Sequence, residues 1–154
     1  MLSHLQVKFI SSSQCLDLRT RILRPGQDIQ HCQYAEDNHP DTFHLGVFDS
    51  SQKIICNGTF IKTAQPFFPT AKNPYRLRGM ATDTFYQGKG LGSLLLEKAF
   101  QILKERHCDL LWCNARESAF AFYQRSDFQL IGDMFDIPGA GPHKVMWREI
   151  YSAE

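Results

Sequence analysis

The tightest constraint on this chain is the stretch Gln87-Gly88-Lys89-Gly90-Leu91-Gly92. A strand-like run over 75–82 precedes it, and an amphipathic helical pattern from 91 to about 106 follows. Glycines lack a Cβ, so a backbone rich in them turns tightly and approaches a ligand closely. The first turn of a helix leaves amide N–H groups without intrahelical partners and carries about half a positive charge. Strand, glycine turn and helix start together make an anion cradle suited to a diphosphate. Three spacings compete for it. A P-loop requires Ser or Thr after Gly-Lys, and here Gly90 follows Gly88-Lys89. The dinucleotide fingerprint G-x-G-x-x-G starts at Gly88 and Gly90 but meets Ser93 where its third glycine belongs. A third pattern, Gln-x-x-Gly-x-Gly, is met in full by Gln87, Gly90 and Gly92. An ordinary glycine turn before a helix is the plain alternative to all three.

The rest of the chain alternates strands and helices. Residues 6–10 read as a strand, and Ser11-Ser12-Ser13 offers a cap to a helix marked by Leu16, Leu18, Ile22 and Leu23 and stopped by Pro25-Gly26. A short helix and loop are expected over 28–39. Strands over 43–48 and 53–62 form a hairpin around Asp49-Ser50-Ser51-Gln52. Residues 65–73 read as a loop. In the helix after the glycine stretch, Leu91, Leu95, Ala99, Ile102 and Leu103 share one side, and Ser93, Glu97, Gln101, Lys104 and Glu105 the other. Residues 109–113 form a short apolar strand, central and buried. A helix over 117–125 and strands over 128–131 and 144–150 close the chain, with a loop rich in proline and glycine over 136–142 between them. The expected order is β-α-(α)-β-β-β-α-β-α-β-β, an α/β (α+β) chain.

With 154 residues, the chain is long enough for one real core and short for two, so residues 1–154 are expected to be one domain. A formal charge of +1 gives no strong pull toward nucleic acid or a membrane surface. No apolar run approaches the ~20 residues that cross a bilayer. The opening Met1-Leu2-Ser3-His4-Leu5 lacks a basic region followed by an apolar stretch, so no leader is expected. Five cysteines without a C-x-x-C pair read as reduced, buried thiols of a cytoplasmic protein. The six histidines are scattered, and no metal-ligand spacing appears.

These motifs resemble one family. The chain looks like a GNAT N-acetyltransferase over nearly its whole length, most closely from 75 to 128. The resemblance rests on Leu77-Arg78-Gly79-Met80-Ala81-Thr82, on residues 87–92, and on Ala119-Phe120-Ala121-Phe122-Tyr123. More narrowly, Arg24-Pro25-Gly26-Gln27, Leu111-Trp112-Cys113-Asn114-Ala115-Arg116 and Gly141-Pro142-His143 resemble a little-characterised bacterial subgroup. The resemblance implies a mixed, mostly antiparallel sheet of about 6–7 strands flanked by helices, splayed between the strand before the loop and the strand after its helix. It implies acetyl-CoA as co-substrate and no metal. In the family the strand before the loop pairs with the pantetheine arm, which implicates Met80, Ala81 and Thr82, with Gly79 at a bulge. The loop amides take the diphosphate, which implicates Gln87, Gly88, Lys89, Gly90, Leu91, Gly92 and Ser93. Asn114, Arg116 and Phe122 join the cofactor-binding set; Arg116 stands where the family usually has Asn. Asp127-Phe128 replaces the family's usual Gly-Phe, and Asp tolerates the left-handed backbone that this helix stop needs. Dimers are common in the family, so a homodimer is an allowed state.

The reaction the resemblance implies sets the remaining requirements. An alkyl amine with a pKa of about 10.4 sits about 3.4 pH units from its reactive form at pH 7, roughly 4.6 kcal/mol. A base or an ordered water must take up the proton, and the departing sulfur benefits from a donor. By the motif, that donor is Tyr123. The carboxylate that many members carry early in the strand is absent, because Tyr75, Arg76, Leu77 and Arg78 stand there. Alternative bases are Glu36, Asp37, His143, Asp41 and His44, or a water wire; an unperturbed imidazole titrates near pH 6.5. The acceptor is expected to be a primary amine of a small molecule or peptide. A non-catalytic acyl-CoA sensor and a nucleotide-binding protein using the same loop are the competing classes.

Overall fold

A computed structural model describes residues 4–151. Its strands are β1 (Gln6–Ile10), β2 (Phe43–Phe48), β3 (Ile54–Lys62), β4 (Pro74–Thr82), β5 (Leu110–Arg116), β6 (Gln129–Ile137) and β7 (Gly141–Glu149). Its α-helices are α1 (Ser12–Leu18), α2 (Leu91–Glu105) and α3 (Phe120–Gln124). The strands form an open mixed sheet in the order β1-β2-β3-β4-β5-β7-β6. The chain divides into two compact units, 4–61 with 78–99 and 62–77 with 100–151.

In the first unit, β1 and β2 pair antiparallel from Gln6↔Phe48 to Ile10↔His44, and β2 pairs with β3 from Phe43↔Phe60 to Phe48↔Ile54. Leu45, Val47, Ile55 and Phe60 are fully enclosed, and Phe43 stacks on Phe60 at 4.8 Å. β2 is buried on both faces, which places His44 opposite Thr59 inside the protein. The N-terminus of α1 carries a capping box: Gln14 N–H donates to Ser11 Oγ at 3.4 Å, and Ser11 N–H donates to Gln14 Oε1 at 2.8 Å. α1 then widens into a single π-helical turn, Arg19–Leu23. Such turns collect where a side chain is needed in a particular direction, and here the one redirected inward is Arg19, 1% exposed.

In the second unit, β4 and β5 run parallel over three residue pairs, Pro74↔Leu110 to Arg76↔Trp112. β5 pairs antiparallel with β7 along its whole length, from Leu110↔Glu149 to Arg116↔His143. Leu110, Trp112 and Val145 pack with Phe68, Ala71, Ile131 and Trp147, and Trp112 Nε1–H donates to Thr63 O at 2.9 Å. Both α2 and α3 end in a left-handed residue other than glycine. His107 (φ 62°) follows α2, with Cys108 N–H on Leu103 O; Asp127 (φ 68°) follows α3, with Phe128 N–H on Tyr123 O at 3.1 Å. These are Schellman closures, so the expectation for Asp127 holds.

The chain's end departs from the sequence expectation. β5 continues past Cys113 to Arg116, and β6 runs to Ile137 rather than stopping at 131. Residues 136–142 are strand ends joined by a tight turn, with Ala140 N–H on Ile137 O at 2.9 Å. The extra length comes from a bulge. Ile131 opposes Val145 and Phe135 opposes His143, so three β6 residues, 132–134, face Lys144 alone. Gly132 (φ 81°) makes that detour, with the Phe67 ring where a Cβ would stand.

Candidate active site

The glycine stretch begins where β4 ends, and the strand's exit is firmly tied. Asp83 N–H donates to Ile55 O at 2.9 Å, and the Asp83 carboxylate meets Arg21 at 3.2 Å and Lys53 at 3.7 Å. Gln87 folds its side-chain amide back, Nε2–H donating to Thr82 O at 3.0 Å. Gly88 (φ 77°) and Gly90 (φ 84°) both take left-handed backbone, and open space surrounds the place of a Gly88 Cβ. Alternation of this kind turns successive amides to one side, the arrangement of an anion nest. The first helical hydrogen bond of α2 runs from Leu94 N–H to Gly90 O at 3.1 Å, so the Leu91, Gly92 and Ser93 amides precede the ladder. Lys89 is held by aromatic faces, 5.1 Å from the centroid of Phe85 and 5.7 Å from that of Tyr86. Among the upstream strand residues, Ala81 is buried while Met80 and Thr82 are half-buried.

Gly79 takes left-handed backbone within β4, at φ 66°, at the position where the sequence suggested a break in the strand. A polar cluster that sequence reading missed presses against it. A Cβ there would stand 3.1 Å from Arg19 Nε and 3.1 Å from Tyr34 Oη, and Asn57 Nδ2–H donates to Gly79 O at 3.0 Å. Arg19 donates to both oxygens of Asp37, at 2.8 and 2.9 Å, and to Thr59 Oγ1 at 2.7 Å. His44 Nε2 lies 2.9 Å from Asp37 O, which only accepts, so Nε2 carries the proton. Nδ1 then accepts from the Thr59 hydroxyl at 2.8 Å, closing the ring Arg19, Thr59, His44, Asp37. Burial pushes the Asp37 carboxyl up, but the Arg19 hydrogen bonds, the Tyr34 amide and the cationic charge together hold it below its usual range. Burial pushes His44 below its ordinary value, against the Asp37 carbonyl bond that raises it. Asp37 and His44 therefore serve the fold under Gly79. The signal in the sequence was a charged residue four positions after Cys15, on the apolar side of α1.

Glu36 sits half-buried in the turn that supplies Asp37, and its backbone oxygen accepts from Thr42 Oγ1 at 2.8 Å. Among the described residues its carboxylate has no hydrogen-bond or ion partner.

The second unit carries the other predicted residues. Tyr123, 7% exposed, lies on α3 between Phe122 (4.9 Å between centroids) and Phe128 (5.2 Å). Its hydroxyl hydrogen-bonds the Cys113 thiol. Burial pushes that thiol up to about 12, with Arg76 and the Tyr123 hydrogen bond acting against the rise, so Cys113 stays protonated and unreactive. Asn114 and Arg116 are half-buried on β5. Arg116 is the cross-strand partner of His143, so the sheet brings two sequence-predicted residues together. His143 is 5% exposed, and its Nδ1 lies 2.8 Å from Gly141 O. That carbonyl only accepts, so Nδ1 carries the proton and Nε2 keeps its lone pair. Among the described residues no group of acidic, histidine and cysteine side chains is placed to hold a metal. Among the same residues no helix is long and apolar enough to cross a membrane.

An open mixed sheet whose fourth strand turns left-handed at Gly79 and then leads through a glycine nest to a helix start defines an acyltransferase of the acyl-CoA N-acyltransferase fold. The chain belongs to the Acetyltransferase (GNAT) family, whose model matches residues 13–128. It is 40% identical over 146 residues to the uncharacterized N-acetyltransferase YitI of Bacillus subtilis (strain 168), covering 95% of this chain and 97% of that protein. Its fold is similar to that of a GNAT-family acetyltransferase from Staphylococcus aureus MU50, with a TM-score of 0.72 and 16% identity over 96% of this chain and 99% of that one. It is also similar to aminoglycoside 6'-N-acetyltransferase complexed with coenzyme A, with a TM-score of 0.73 and 11% identity over 97% and 99%. The chain is thus an acyltransferase of a family that uses acetyl-CoA and acts on amines.

Proposed function

We propose that this protein moves the acetyl group of acetyl-CoA to a primary amine of a small molecule or peptide, by direct attack within a ternary complex. It works as a single catalytic domain over residues 1–154 in the cytoplasm, with no nucleic-acid or membrane partner and no metal. The observation that carries this reading is the pair of left-handed glycines, Gly88 and Gly90, opening onto the first amides of α2. Residues 87–93 hold the diphosphate. Met80, Ala81 and Thr82 offer their backbone to the pantetheine arm, and Asn114, Arg116 and Phe122 complete the set. Tyr123 gives a proton to the departing thiolate as the new amide forms and the thioester C–S bond breaks. His143 takes the amine's proton at Nε2, a role supported by the tautomer that Gly141 O imposes; Glu36, with an unengaged carboxylate, is the alternative base.

The test follows thiol release from acetyl-CoA with a panel of primary amines. Tyr123→Phe is expected to lower kcat by about 10²-fold, the usual worth of a positioned proton donor, with little change in KM for acetyl-CoA. His143→Gln is expected to lower kcat/KM at neutral pH by about 10²-fold while Glu36→Gln leaves it unchanged. The opposite pattern assigns the base to Glu36. Tight coenzyme A binding without thiol release from any amine replaces the enzyme with an acyl-CoA sensor.

A further inference from the structure

Arg78 is a half-buried residue on β4, one residue before the left-handed Gly79. Its Cζ lies 3.8 Å from the centroid of the Tyr34 ring, and Arg19 stacks on the same ring at 3.9 Å. The two arginines differ in what they meet. Arg19 is neutralised by the two-oxygen grip of Asp37 and has further acceptors in Cys32 O and Thr59 Oγ1. Arg78 has no carboxylate or hydrogen-bond acceptor among the described residues. A half-buried cation without a counter-charge costs stability, and stacking on an aromatic face offsets only part of that cost. Contact with the ring holds the guanidinium in place while its N–H donors keep no protein acceptor, and a guanidinium fork receives a carboxylate by two parallel hydrogen bonds. Tyr34 is itself rigidly placed, its hydroxyl against the Gly79 backbone and its own amide N–H donating to Asp37 at 3.0 Å.

Position on the strand decides which anion this is. β4 ends at Thr82, whose carbonyl takes the side chain of Gln87 at the start of the glycine loop. Arg78 lies four residues upstream, about 13 Å back along an extended strand. That is too far to reach a diphosphate held by residues 87–93. It is the other end of the segment assigned to the pantetheine arm, where the thioester and the incoming amine meet.

We propose that Arg78, held over the Tyr34 ring, receives a carboxylate carried by the acceptor, so that the acceptors of this enzyme are small amino carboxylates and not plain alkylamines. This rests on the acetyltransferase reading above. The amine of such a molecule attacks the thioester carbon while its carboxylate is anchored to the guanidinium, which orients the nucleophile before reaction.

The experiment compares matched acceptors that differ only in charge and span a range of amine-to-carboxylate distances. These are glycine, β-alanine, 4-aminobutyrate and L-glutamate, each against its amide. An amide lowers the basicity of the neighbouring amine and so leaves more free amine at neutral pH, which makes the comparison conservative. The carboxylate is expected to exceed its amide in kcat/KM by about tenfold or more at the best length. In Arg78→Gln and Arg78→Met the ratio collapses toward one, and Arg78→Lys, which keeps the charge without the fork, falls between. A second readout needs no turnover. In the nitrogen-15 spectrum of the protein with coenzyme A, the Arg78 Nε–H resonance, assigned by its loss in Arg78→Gln, shifts saturably with the preferred carboxylate and not with its amide. Amides turned over as well as carboxylates, or a ratio that survives in Arg78→Gln, overturn the inference and leave the acetyltransferase reading intact. A saturable Arg78 shift without thiol release from any amine does the reverse. Neither turnover nor shift overturns both.

Discussion

At the scale of single residues, Gly79 is where backbone and side-chain demands coincide. Its φ of 66° disfavours any L side chain, and the space beside it is taken by Arg19 and Tyr34. Gly79→Ala is expected to lower stability by about 2 kcal/mol, more than Gly88→Ala, whose Cβ meets nothing. Urea unfolding midpoints measure the difference. The Arg19–Asp37 pair beneath it is fully enclosed, so Asp37→Asn strands a buried guanidinium and should cost about 3–5 kcal/mol in the same measurement. Two groups of this cluster link stability to pH with the same sign. The folded-state pKa of Asp37 lies below the ordinary 3.8, so its contribution is present above that value and lost as pH falls through the folded one. That of His44 lies below 6.5, because the fold accepts the neutral ring. The unfolded chain therefore binds the proton first, and the His44 contribution is present above about pH 6.5 and lost below it. The unfolding midpoint should fall between pH 7.5 and 5.5, and His44→Gln should flatten that fall; an unchanged slope excludes His44 as its source.

At the scale of elements, local signals decide the ends of helices and long-range pairing decides the lengths of strands. Ser11 and Gln14 satisfy each other's backbone at the start of α1, so Ser11→Ala should cost about 1 kcal/mol in unfolding free energy. The cap, the period of α2 and the left-handed stop at Asp127 were all legible, because each depends on neighbours a few residues apart. β6 was not. Gly132-Asp133 looks like a strand end, and Pro138-Gly139-Ala140-Gly141-Pro142 looks like a loop. Pairing with β7 overrides both, absorbing the glycine into a bulge and the breakers into a turn of three residues. Beyond the charged Arg19 on the apolar side of its helix, the cluster under Gly79 was hard to read for a related reason. Arg19, Tyr34, Asp37, His44, Asn57 and Thr59 come from a helix, a turn and two strands, and no spacing along the chain announces their meeting.

At the scale of the whole molecule, the glycine turn proposed to take the diphosphate was readable because it is one contiguous segment, whereas the groups proposed as base and acceptor anchor come together only through folding. The cradle's ligand preference has a global consequence. A ligand that binds only the folded chain stabilises it by RT ln(1 + [L]/Kd), about 2.7 kcal/mol at a hundredfold excess over Kd. For a protein of this size each kcal/mol moves the melting midpoint by about 2–4 °C, so saturating acetyl-CoA should raise it by roughly 5–11 °C. ATP and NAD at the same concentration should do much less, since they offer phosphates to the nest but no pantetheine arm to pair with Met80, Ala81 and Thr82. Gly90→Val places a β-branched residue at φ 84°, where it is a steric outlier, immediately before α2. Its own midpoint is lower without ligand, so the comparison is each protein's shift from its own baseline. That shift should vanish in Gly90→Val and persist in Ser11→Ala, which weakens the fold at a site remote in sequence from the nest. Equal shifts in the two variants would place the ligand somewhere other than the glycine loop.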